Sequence, residues 1–183
     1  FYERKEIKDI LSYLRLIVNP NDMVSLHRIV NFPPRGIGLK TITKCQKLAD
    51  QKKLPLFDVF NDLSGLELRN KQVNSLGYFH DLIIKYRELI DKLSPNEFTR
   101  SLVEEAGIIN FYKSSDLPED AERLQNINEL LNSIDDYASR ETNNDLNGFL
   151  EEVSLLTDLD KWNEEDNRVS LMTIHASKGL EFD

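Results

Sequence analysis

The chain has 183 residues, 40% of them apolar, enough for one packed domain of good size. A lone cysteine excludes an internal disulfide, and no run approaches the ~18 apolar residues of a membrane span, so a membrane partner is not expected and the chain is placed in the cytoplasm. Net charge is −9, which argues against a nucleic-acid partner unless the charge is unevenly spread.

Helix formers dominate, with only seven Gly and six Pro between them, and the expected fold class is all-α. Ile7, Ile10, Leu11, Leu14 and Ile17 recur at helical spacing and predict an amphipathic helix over Lys5–Val18. Asn19-Pro20-Asn21-Asp22 breaks it, and Asp22 is suited to cap a short helix with Leu26, Ile29 and Val30 inward. Pro33-Pro34 ends that helix, Gly36-Ile37-Gly38 makes a tight turn, and Leu39–Lys52 forms the next helix, its lysines outward and Ile42, Cys45, Leu48 and Ala49 inward. Cys45 in that setting reads as a buried thiol, with a reactive role as the alternative.

A short apolar segment follows Pro55. Residues 67–93 are expected to form the longest helix, with Leu68, Leu76, Phe79, Leu82, Ile83, Tyr86, Ile90 and Leu93 as its apolar stripe. Ser94-Pro95-Asn96-Glu97 matches a capping box, which stabilises a helix start by ~1 kcal/mol, and Gly107 terminates that helix. After a brief apolar patch at 108–112, Pro118 opens another long helix carrying Leu124, Ile127, Leu130, Leu131, Ile134 and Tyr137. Residues 146–156 make a last helix, and the acid-rich stretch 158–167 reads as a flexible link. Residues 168–174 are a β-type run leading into His175-Ala176-Ser177-Lys178-Gly179, a common setting for a ligand site at a strand's carboxyl end. Lys178-Gly179 does not have the order of a Walker A loop, and His175 has no assignable partner as a catalytic base. No catalytic residue and no metal site is assigned.

The glycine turn has two readings. Its glycines would let a phosphodiester approach the backbone, the free N–H groups of the helix start would point at it, and Arg35, Lys40 and Lys44 would neutralise it. Alternatively it is a plain helix–loop–helix corner whose glycines only relieve backbone strain. Charge favours the first reading locally: residues 28–53 hold seven basic residues and one acid, whereas 116–166 hold sixteen acids against three basic residues. Screening over roughly 10 Å at 0.1 M salt makes the local sign matter more than the total. The acidic stretch reads as a solvated helix face.

The helices flanking Gly36-Ile37-Gly38 resemble a helix-hairpin-helix, a module that grips DNA through backbone phosphates. More specifically, Phe1-Tyr2-Glu3-Arg4-Lys5-Glu6-Ile7-Lys8-Asp9 with Tyr13-Leu14-Arg15, the turn Arg35-Gly36-Ile37-Gly38, and the motif V-like 169–182 resemble the UvrD/Rep/PcrA family of superfamily 1 DNA helicases. The resemblance implies an irregular multi-helix accessory subdomain, called 2B, at 18–167. Residues 1–17 and 168–183 would be borders of an α/β RecA-like motor domain, and the chain a piece of something larger. It implies that Arg35, Gly36, Ile37, Gly38, Lys40, Thr41 and Lys44 meet duplex DNA, that His175 meets the single strand, and that Gly179 and Glu181 lie at the nucleotide. ATP and Mg would serve the parent enzyme. None is expected on this fragment, which has no Walker A or Walker B and should be inactive alone. Expected partners are DNA at a duplex/single-strand junction, the motor domains of the same protein, and repair or transcription proteins. The rival reading is a protein-interaction and autoinhibitory module working through the acidic helices.

Overall fold

The computed structural model describes residues 1–140 and 145–160. Among them are nine α-helices and no strand: α1 (Lys5–Val18), α2 (Met23–Ile29), α3 (Leu39–Lys52), α4 (Leu56–Val59), α5 (Asn70–Leu89), α6 (Pro95–Glu105), α7 (Ile108–Lys113), α8 (Pro118–Arg140) and α9 (Leu146–Asp160). The described chain is all-α, as expected. The β-type run at 168–174, its motif V-like loop and most of the expected link lie outside the described residues.

Local signals set several boundaries. Asp22 Oδ1 accepts the Ser25 N–H at 3.0 Å and starts α2. The Ser94 N–H reaches Glu97 Oε2 at 3.3 Å while Ser94 Oγ accepts the Glu97 N–H at 3.4 Å, completing the capping box of α6. Gly107 ends α6 in the left-handed region, with φ at 82°. Cys45 is fully buried, and burial pushes its thiol up to about 11, which suits an inert core residue.

Two helices differ in extent from expectation. The longest described helix is α8, with 23 residues; α5 has 20, because turn bonds at Leu66 and Leu68 precede it and Gln72 Oε1 caps the Arg69 N–H at 3.0 Å. Leu93 therefore lies beyond α5 and is 36% exposed. Helix α9 continues through Asp160 into the expected link, since no Gly or Pro stops it there. It packs closely on α8, where a methyl on Gly148 would collide with the Tyr137 hydroxyl.

Helix α1 is the centre of the body rather than one amphipathic layer of it. It packs against α2, α5, α8 and α9, and buries Glu6, Asp9 and Ser12 together with its apolar residues. Buried polar groups need partners. Asn126 Nδ2 donates to Glu6 Oε1 at 2.7 Å, and Arg28 Nε donates to Asp9 Oδ1 at 2.7 Å. Asp9 Oδ2 has no partner among the described residues, and desolvation raises the Asp9 pKa despite the guanidinium.

This pair makes a test of the core. Replacing Arg28 by Ala strands a buried carboxylate, and a loss of ~3–5 kcal/mol is expected in denaturant unfolding. Because the folded-state pKa of Asp9 is raised, its contribution is fully present below the ordinary carboxylate range near ~4 and is lost as pH rises through the raised value. The Arg28→Ala loss should therefore shrink toward acid pH, and Arg28→Ala with Asp9→Asn should recover most of it at neutral pH. Equal losses at both pH values would contradict the assignment.

Candidate nucleic-acid interface

The segment between α2 and α3 is built from one side chain. Asn31 Oδ1 accepts the N–H groups of Arg35 at 2.9 Å and Ile37 at 3.0 Å, curling the chain over itself, while Ile37, 2% exposed, anchors it in the core. The Phe32–Pro33 peptide is cis. Gly36 and Gly38 are exposed on either side of Ile37, but for different reasons. Gly36 has φ 74°, which a residue with a Cβ adopts at a cost of ~1–2 kcal/mol. Gly38, the N-cap of α3, has φ −87° and ψ 169°, open to any residue, and nothing lies within 4 Å of where its Cβ would be. The fold requires a glycine at 36 and leaves 38 free.

Past Gly38 the chain offers donors. Its carbonyl accepts the N–H groups of Thr41 at 3.0 Å and Ile42 at 3.2 Å, while those of Leu39 and Lys40 have no partner among the described residues. Lys40, Lys44 and Lys47 are exposed on α3, and Lys44 Nζ donates to the Glu67 carbonyl at 2.7 Å, which leaves its charge uncompensated.

Arg35 is turned the other way. Its guanidinium donates to the carbonyls of Ile29 at 3.2 Å, Phe32 at 2.7 Å and Ala106 at 3.4 Å and to the Tyr13 hydroxyl at 2.5 Å. It also sits 5.5 Å from the Phe79 ring centre. Tyr13 Oη in turn donates to the Phe32 carbonyl at 2.5 Å, and burial pushes the Tyr13 hydroxyl up to about 12. In the free chain the Arg35 guanidinium is thus held inward by acceptors at the carboxyl ends of α2 and α6. Thr41 is likewise buried, with Oγ1 accepting from Gln72 Nε2 at 2.7 Å. The basic run thins further: Arg28 pairs with Asp9, and Lys52 with Asp62 at 3.3 Å.

Sequence reasoning missed the start of α5. The Gln72 bond to Thr41 and a 2.9 Å bond from Ser75 Oγ to the Arg35 carbonyl bring it against the turn, with Lys71 Cε 3.8 Å from where a Cβ on Gly36 would stand. A groove of about 910 Å³ runs between them, lined by Pro33, Pro34, Gly36, Lys71, Asn74 and Tyr78 among others. No local pattern announces a pairing across 31 residues. His175, Gly179 and Glu181 lie outside the described residues. Among the described residues no cluster of His, Cys, Asp or Glu could hold a metal ion, and no helix is long and apolar enough to cross a membrane.

Over residues 1–183 the chain matches the UvrD-like helicase C-terminal domain, and it belongs to that family. It is 36% identical over 184 residues to the ATP-dependent DNA helicase PcrA of Staphylococcus aureus (strain Mu50 / ATCC 700699), and 34% identical over 188 residues to that of Bacillus subtilis (strain 168). Each alignment covers the whole chain and 25% of the relative, so the chain spans a quarter of the length of the curated relatives it matches.

The inward arginine generates a stability prediction. Arg35→Ala should destabilise the chain by about 3 kcal/mol in denaturant unfolding, since it leaves several carbonyls unsatisfied, and Arg35→Lys should recover little because an ammonium lacks the planar fork. Loss of under ~0.5 kcal/mol in both would contradict the keystone role.

Proposed function

We propose that this chain is the 2B accessory region of its helicase, and that its glycine turn holds the duplex through backbone phosphates. The observation that carries the reading is Gly38, a glycine the fold does not demand, followed by two unpartnered N–H groups and flanked by Lys40 and Lys44. A phosphate can approach a residue without a Cβ closely enough to accept from the amides, and the lysines add long-range attraction. Nothing in this set reads a base, so the contact is independent of sequence. The turn would meet DNA through Gly36, Gly38, Lys40 and Lys44, with Ile37, Thr41 and Arg35 setting its shape from within.

In the whole enzyme, motor domains using ATP and Mg would drive translocation, with His175 at the single strand and Gly179 and Glu181 at the nucleotide. The helical body would swivel to regulate unwinding. The packing of α1 against α2, α5, α8 and α9 supports a swivelling unit that includes α1 rather than one that begins at residue 18. A second reading, docking of repair or transcription proteins or of the motor domains, rests on the exposed acids Glu119, Glu122, Glu129, Asp135 and Asp136 of α8. The two readings are compatible.

Gly38→Asn separates fold from function. Asn is a good N-cap, so thermal stability should hold within ~0.5 kcal/mol, while its side chain obstructs the phosphate and duplex affinity should fall at least tenfold in a low-salt titration. Lys40→Glu with Lys44→Glu should lower it further and flatten its salt dependence. Duplex binding unchanged by both sets would refute the assignment.

A further inference from the structure

We infer that the start of α5 supplies a second row of phosphate contacts for the same duplex, through Arg69, Lys71 and Asn74. This rests on the reading of the turn above and extends it to residues of another helix, α5. The argument begins with what these side chains do not do. Some surface cations are used internally: Lys85 binds Glu105 at 2.7 Å, Lys52 binds Asp62 and Arg28 binds Asp9, whereas Arg87 and Lys92, at and just beyond the far end of α5, are exposed as well but lie away from the turn. Arg69, Lys71 and Asn74 are exposed, and no described residue partners their side-chain donors. Their position is nevertheless held firmly, because the two side-chain bonds from Gln72 and Ser75 lock this helix end to Thr41 and Arg35. Donors that are rigidly placed and left open suit an external acceptor better than a solvated face, which needs no such fastening.

The chemistry of the groove selects the occupant. It is lined by Pro33, Pro34 and Gly36 of the turn and by Lys71 and Asn74 of α5. The acid on the opposite wall, Glu105, is held by Lys85 and by the Tyr86 hydroxyl at 2.9 Å, so it does not repel an anion strongly. Glu67, two residues before Arg69, fastens Lys44 through its carbonyl. A protein partner would need desolvated aromatic or aliphatic anchors at the centre of the patch. The one aromatic side chain lining the groove is Tyr78, 48% exposed, whose hydroxyl already donates to the Glu105 carbonyl, and its other apolar lining is Pro33, Pro34 and the buried Ala106. A polyanion needs donors and cations with room to approach. Lys40 and Lys71 are each the second residue of a helix that borders the turn, α3 following it directly and α5 bound to it through Gln72 and Ser75.

The test is a titration of this chain with duplex DNA across a range of salt, using Arg69→Gln with Lys71→Gln. A charge-matched control, Arg87→Gln with Lys92→Gln, removes two exposed cations at the far end of α5 and just beyond it. The inference expects the first pair to lower duplex affinity about tenfold or more at low salt and to reduce the slope of log affinity against log salt by about 2, with the control close to the unmodified chain. If the first pair behaves like the control while Lys40→Glu with Lys44→Glu abolishes binding, the second row is wrong and the turn stands. If the chain binds no duplex even at low salt, or binds it regardless of either set, the reading of the turn fails and this inference fails with it.

Discussion

Arg35 is the constraint on which the candidate interface depends. A guanidinium drawn partly out of water must be matched on its donors, and its planar fork reaches carbonyls at the ends of α2 and α6 together with the Tyr13 hydroxyl. The carboxyl ends of helices carry partial negative charge, so the cation is stabilised where it sits. One side chain thereby joins α1, α2, α6 and the turn, and fixes which way Gly36-Ile37-Gly38 faces. The neighbouring Asn31 completes the loop with two backbone bonds from one oxygen.

Inward and outward groups then alternate through the turn. Arg35, Ile37 and Thr41 point into the body; Gly36, Gly38, Leu39 and Lys40 are exposed. The outward set has little for a partner protein to bury and much for a phosphate to accept from. Leu39, 82% exposed at the first position of α3, is the exception, and no contact in the structure explains it. The net charge of −9 does not by itself oppose this reading, because the acids of α8 and the lysines of α3 are on different helices that are not among the closely packed pairs, and salt screens exposed charges from one another.

What the sequence revealed was local. The span of α1 and of α3, the Asp22 cap, the capping box at Ser94 and the stop at Gly107 each depend on residues within a turn or two, and all are present. What it concealed was tertiary. The spacing in α1 shows an apolar face, but Glu6 and Asp9 on the rest of the helix are buried only because Asn126 and Arg28 arrive from elsewhere in the chain. Arg35 reads as a phosphate ligand in a basic run until the acceptors from α2 and α6 surround it. The start of α5 carries no motif at all, and joins the site through Gln72 and Ser75 alone. Family membership was legible from the paired end motifs, whereas the roles of His175, Gly179 and Glu181 fall outside the described residues.

The most direct measurement is amide hydrogen exchange on this chain with and without duplex DNA at low salt. The N–H groups of Leu39 and Lys40 have no internal acceptor, so they should exchange rapidly in the free chain. A phosphate held at the turn would take them as donors, and the account predicts slowed exchange at these two amides, with the acidic face of α8 unchanged. Protection on α8 with none at Leu39 and Lys40 would contradict it, and would make the acidic helices the working surface.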